Sequence, residues 1–190
     1  MLAVTGVLLL LAGATLLIRG YQPLVATDLL AGGTELETFG ASGSVVFRYE
    51  HGAETFYAVT LRNEGRLAVT VTGLGQDIEL PLLDPVELRY FPQAHVATTD
   101  PVAASSPFTA FAIPPSEERT VLVRARFDNC EYYTERALEV VETLRVAFRV
   151  LGIPSDARVA LPRQLIVRSP TILRCPDRTA DRGENRRTDP

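Results

Sequence analysis

The chain has no tryptophan, one methionine, two histidines and two cysteines among its 190 residues, and all 19 of its basic residues are arginine. Each shortage removes a class of activity. Without tryptophan there is no antibody-type core, which packs a buried tryptophan against an intersheet disulfide. Without lysine no Walker-type phosphate loop is complete, and the glycines Gly32-Gly33 and Gly40 to Gly43 lack the rest of that motif. The cysteines, Cys130 and Cys175, stand far apart with no Cys-x-x-Cys, so a structural zinc site of paired ligands is not encoded. Met1 is the only methionine and the histidines are isolated, which leaves no copper-type ligand set. His51 and His95 fall in a turn and a proline-flanked loop, and no Gly-x-Ser-x-Gly occurs, so no nucleophile, base and orienting group are recognisable together. Asp128, Asn129 and Glu131 offer oxygens to calcium, but the regular donor spacing and glycine of an EF-hand loop are missing. The plentiful carboxylates are spread over turns and polar strand faces, as solubility requires. The expected catalytic, cofactor-binding and metal residues are therefore none.

The chain does have a long uncharged start. Leu2 to Ile18 carries no charge, and as a helix of 1.5 Å per residue it covers about 26 Å, near the short limit for crossing a bilayer core of about 30 Å. No basic residue precedes the run, and its one small-x-small candidate, Ala12-Gly13-Ala14, lies inside it. An uncleaved signal anchor over residues 1–19 is favoured over a cleaved signal peptide. Two cysteines behind an export-type N-terminus read as one disulfide, Cys130 to Cys175, formed in an oxidising compartment. The alternative is two unpaired thiols in a cytoplasmic domain. The net charge of −4 argues against a nucleic-acid partner, which calls for clustered positive charge.

Residues 20–41 read as a stalk. From residue 42 the pattern has period two, the signature of strands with one buried face. Val45, Phe47 and Tyr49 share one side of their run, as do Tyr57, Val59 and Leu61, then Leu67, Val69 and Val71, and later Val121, Val123, Ala125 and Phe127. Further runs begin at Val86, Phe108, Leu144 and Arg163, with a shorter one at Arg158, about 7–9 strands in all. In the segment after Tyr132, a turn or short helix near 131–137 is expected to give way to a strand in which Leu138, Val140, Leu144, Val146, Phe148 and Val150 share a face, interrupted by Glu142. Pro81, Pro85, Pro92, Pro101, Pro107, Pro114 and Pro115 are placed in connections or strand ends. Residues 176–190 hold charge and no aliphatic residue larger than Ala180, and are expected to be a disordered tail.

Two segments carry a resemblance. LRNEGRLAVTVTGL, Leu61 to Leu74, resembles the hairpin with an Asn-x-Gly turn of bacterial immunoglobulin-like and fibronectin-like sandwiches, its Gly65 suited to a positive φ. FAIPPSEERTVLV, Phe111 to Val123, resembles their later apolar, proline, polar and strand segment. With RFDNCEYY, RVAFRVLGIP and LPRQLIV following in order, the chain resembles small membrane-anchored proteins of actinobacteria, and its all-arginine, Ala/Val/Leu-rich composition fits a GC-rich genome. The resemblance implies an all-β, immunoglobulin-like antiparallel sandwich over 42–175 behind one transmembrane helix, and carries no catalytic residues. The function expected is that of an extracytoplasmic binding or structural module of the cell envelope, tethered to the membrane, with an envelope protein as possible partner and loops 92–107 and 128–136 as working surfaces. Two alternatives stand beside it: a small-ligand receptor or enzyme whose site assembles from distant residues such as His95, Asp128 and Tyr132, and an accessory subunit of a membrane complex.

Overall fold

The structure of the protein is a computed structural model that describes residues 20–33, 43–76, 81–91, 100–129 and 138–169, and the backbone of 36–39. Residues 1–19, His95, Cys130, Glu131, Tyr132, Cys175 and the 176–190 tail lie outside the described residues. Among the described residues no helix is long and apolar enough to cross a membrane.

The described chain is all-β. Eleven strands follow in order: β1 (Leu24–Gly32), β2 (Leu36–Phe39), β3 (Ser44–Arg48), β4 (Glu54–Asn63), β5 (Val69–Gly75), β6 (Leu83–Phe91), β7 (Ser106–Pro107), β8 (Phe111–Ile113), β9 (Glu118–Phe127), β10 (Leu138–Val150) and β11 (Ile153–Arg168). One helical turn, Pro101–Ala104, precedes β7. They form a five-stranded sheet in the order β1-β4-β9-β6-β7 and a six-stranded sheet in the order β2-β3-β11-β10-β5-β8. One apolar cluster joins the inner faces of both, with Leu29, Tyr57, Val59, Leu61, Val121, Val123 and Phe127 from the first and Phe47, Val69, Val71, Leu144, Val146, Phe148 and Val167 from the second. The Phe47 and Phe127 rings meet edge to face across it, centroids 6.3 Å apart, and burying each such side chain stabilises the fold by about 1.5–3 kcal/mol.

Several sequence expectations change. Residues 24–32 are not stalk: β1 pairs with β4 from Leu24↔Asn63 to Gly32↔Phe56 and buries Leu24 and Leu29. The run LVATDLLAG has β-branched and apolar residues enough to form a strand, and its terminal glycine fits because the Phe56 ring lies where a Gly32 Cβ would go, 2.5 Å away. Pairing is not wholly antiparallel, since β3 lies parallel to β11 over Leu165↔Val45 to Arg168↔Arg48. Leu138 and Val140 do not share a face with Val146 and Phe148: both are exposed, while Glu139 and Val141 point inward. The cause is a register shift between Val141 and Thr143, opposite Leu161 to Gln164, which resets the alternation. Pro85 and Pro162 lie inside strands, each at such a shift, where a missing N–H does least harm.

The Asn63-Glu64-Gly65 segment is not a hairpin turn either, because β4 and β5 belong to different sheets. It is a corner that carries the chain from one sheet to the other, and 113–118 is a second one, from β8 to β9. Asn63 ties the two together. It is fully buried, and its Nδ2 donates to the carbonyls of Leu67 and Ile113, both at 2.8 Å. Its Oδ1 accepts from Gly65 N, and its backbone exchanges bonds with Ser116 N and Glu117 O. Gly65 is required for space rather than for a positive φ, since a Cβ there would fall 1.9 Å from Tyr21 Oη. That hydroxyl accepts from the amides of Arg66 and Leu67.

Candidate functional site

On the outer face of the six-stranded sheet the alternation of β10 presents Arg145, Ala147 and Arg149 to solvent. Their cross-strand neighbours are Arg158, Asp156 and Pro154 on β11, and Arg145 and Ala147 face Gly75 and Gly73 on β5. Two glycines and an alanine in one corner of a sheet leave the face without side-chain relief. The result is an open trough of about 590 Å³ lined by Gly75, Arg145, Ala147, Pro154, Ser155 and Asp156. Arg145 Nε is 3.2 Å from Asp156 Oδ2, with both side chains more than half exposed. An ion pair so solvated is worth about 0–1 kcal/mol, so a ligand carboxylate competes with Asp156 for Arg145 at little expense. Arg145 and Arg158 stand directly opposite, an arrangement that is unfavourable without neighbouring negative charge. The lining itself holds one charge of each sign, Arg145 and Asp156, joined as that exposed pair.

The outer face of the five-stranded sheet is organised differently. Arg124 bridges Glu54 and Glu87 at 2.6 Å each, and Glu87 also holds Arg89 at 2.6 Å. The hydrogen bonds from Arg89 and then Arg124 hold the Glu87 carboxyl below the usual carboxylate range, and Glu54 followed by Glu87 raises the Arg124 guanidinium. Arg89 also donates to the Oγ and carbonyl of Ser105. This clamps the connection around Pro101–Ala104 over Ala58, Leu122 and Phe91, with Val102 packed on them. The described part of the expected 92–107 working loop is thus partly fixed to the sheet.

A polar group is also buried between the sheets. Gln76 Nε2 donates to Tyr57 Oη at 3.1 Å, and the Glu139 carboxylate accepts from Leu82 N at 2.7 Å. Burial pushes the Tyr57 hydroxyl up to about 12, the Gln76 bond opposing and the Glu139 charge adding to the rise.

Of the residues singled out from sequence, the structure describes Asp128, Asn129 and His51. Asp128 Oδ1 accepts from Asn129 N at 2.9 Å and its Oδ2 from Arg126 at 3.2 Å, while Asn129, at φ +59°, donates from Nδ2 to Pro81 O. Both carboxylate oxygens of Asp128, one of the residues considered for calcium, are thus engaged at the end of β9. His51 Nδ1 lies 3.1 Å from Tyr49 Oη, whose hydroxyl also reaches Asp128 O at 3.4 Å. Among the described residues no group of three or more His, Cys, Asp or Glu is placed to hold a metal ion. Cys130, Cys175, His95, Glu131 and Tyr132 lie outside the described residues. The alternation of β10 marks the outward row Arg145, Ala147, Arg149 in the sequence, but not the trough beside it. Its floor depends on Gly73 and Gly75 lying beside that row, and such neighbours are set by strand order.

No protein-family model matches the chain, and no curated protein matches it. Among solved structures it is similar to one titled "Structure of Vibrio cholerae VesB protease", with 10% sequence identity and a TM-score of 0.34. The match covers 82% of this chain and 34% of that one, so the chain spans about a third of that structure's length, and the likeness carries no argument.

Proposed function

We propose that the protein is a non-catalytic binding module of the cell envelope, an immunoglobulin-like β-sandwich tethered by its N-terminal apolar segment and acting outside the cytoplasm. The observation that carries this reading is the trough on β5, β10 and β11, which is open and whose Arg145–Asp156 ion pair is solvated and replaceable. A surface of that shape suits an extended segment of an envelope protein bearing a carboxylate, better than it suits a small molecule that must be enclosed. The two corners at Asn63–Gly65 and 113–118 support the immunoglobulin-like description, and the resemblance to membrane-anchored actinobacterial proteins rests on the same segments. The Cys130–Cys175 bridge belongs to this reading: blocked thiols in denatured, unreduced protein support it, and free ones count against export.

Filling the trough tests the function. A Cβ at Gly75 meets nothing within 4 Å, so G75W occupies the trough without disturbing the core. Tagged full-length protein is captured from membranes with its bound proteins, beside G75W and R145E. Loss of the same partner from both variants, with unfolding unchanged, is the expected result; a partner retained equally by both removes the trough from the function.

A further inference from the structure

Leu151 breaks two local rules at once. It is 74% exposed, and its φ is +52° in the Leu151-Gly152 turn between β10 and β11, a conformation that suits Asn, Asp or Gly and strains a bulky residue. Leu67 is a second exposed leucine, at 39%. The two belong to one end of the molecule, because Leu151 follows Val150, Leu67 precedes Val69, and Val150 pairs with Val69. The chain enters the domain at this same end. Tyr21 Oη accepts from the amides of Arg66 and Leu67, Glu64 N donates to Pro23 O, and Leu24 pairs with Asn63.

The distance from the apolar run is short. Ile18, the last residue of the uncharged stretch, precedes Tyr21 by three residues, which span at most about 11 Å fully extended. The headgroup layer on each side of a bilayer is itself about 5–8 Å thick. With β1 starting at Leu24, no stalk is left to lift the domain away from that layer.

We propose that this end of the domain rests on the lipid surface, with Leu67 and Leu151 seated in the interface and Arg66 and Arg149 against lipid phosphates. The inference rests on the anchored reading given above. Arg62, Arg66, Arg119 and Arg149 lie at this end with Glu64, Glu117 and Glu118; Arg62 stands opposite Glu118, and Arg119 is paired with Glu117 at 2.8 Å. The charges nearly balance, so apolar seating has to carry the contact and the arginines orient it.

The absence of tryptophan makes the test clean, since one introduced residue is the sole indole emitter. Full-length L151W, L67W and, at the opposite end, L138W are reconstituted into phosphatidylcholine and phosphatidylglycerol vesicles with plain or chain-brominated lipids. The emission of L151W and L67W is expected to be quenched by bromine and that of L138W to be unchanged. Should the indole of neither L151W nor L67W be quenched while alkaline carbonate leaves the protein in the vesicles, the anchor stands and the lipid contact is wrong. That result would also point to a protein as the occupant of this end. Release by carbonate would overturn both. L67W keeps the test decisive if L151W fails to fold.

Discussion

At the scale of the residue, the largest effects belong to groups whose partners cannot be replaced by water. Asn63 supplies two donors and an acceptor inside two corners at once. Asn63→Ala strips the Ile113 and Leu67 carbonyls of their Nδ2 bonds and Gly65 N of its acceptor, and is expected to remove about 2–4 kcal/mol of stability, read as a lowered urea midpoint. Tyr57 connects stability to alkaline pH. Its folded pKa, pushed up to about 12, lies above the unfolded value of 10.0, so its contribution is complete below pH 10. It is lost as pH rises from there through 12, by about 2–3 kcal/mol. Urea midpoints measured near about pH 9 and about pH 11.5 should therefore fall in the native chain and fall less in Tyr57→Phe. A larger or equal fall in the variant would show that another group governs the alkaline limb. Tyr57 was legible as a core position from its alternation with Val59 and Leu61. Its polar neighbours were not, because Gln76, just past β5, and Glu139 on β10 are brought near it only by the packing of the two sheets.

At the scale of the element, the bulge opposite Glu142 does more than reset a face. It holds Pro162 where no ladder bond is lost, and it aims Arg163 across to the other sheet, where the guanidinium donates to the Leu29 carbonyl and lies 3.6 Å from Asp28. β1 is an edge strand, and a charged cap on its open side discourages pairing with another chain. Arg163→Ala is expected to change stability by no more than about 1 kcal/mol while increasing self-association in sedimentation velocity. An unchanged monomer would remove the capping role. Strands were readable wherever period two ran unbroken, as in β4 and β9. The reading slipped where a bulge shifted the phase, as between Val141 and Thr143, and where two strands of different sheets resembled a hairpin. A corner and a hairpin share Asn and Gly, and which one forms depends on what stands beside the glycine, here Tyr21.

At the scale of the whole molecule, the boundary that sequence places near residue 42 divides a single core. A chain beginning at Gly43 lacks β1 and β2 and uncovers the surface that Leu24 and Leu29 bury, each worth about 1.5–3 kcal/mol against a total of about 5–15 kcal/mol for a typical domain. It is expected to lose cooperative urea unfolding, whereas a chain beginning at Gly20 retains it. The early segment was misread because its glycines and its place after an apolar run suggested a spacer, while its strand pairing with β4 is visible only once the sheet is assembled. The parallel pairing of β3 with β11 has a mechanical side. The chain enters at the end marked by Tyr21 and Asn63, and β11 starts at that end and runs to Arg168 at the other. A force drawing the two termini apart therefore acts along the strands, loading the β1–β4 and β3–β11 hydrogen bonds together in shear instead of opening them one by one. Pulled by its ends in a single-molecule experiment, the domain should yield at high force in one step, and it should come apart far more easily when pulled across the β10–β11 turn, where the bonds unzip in succession.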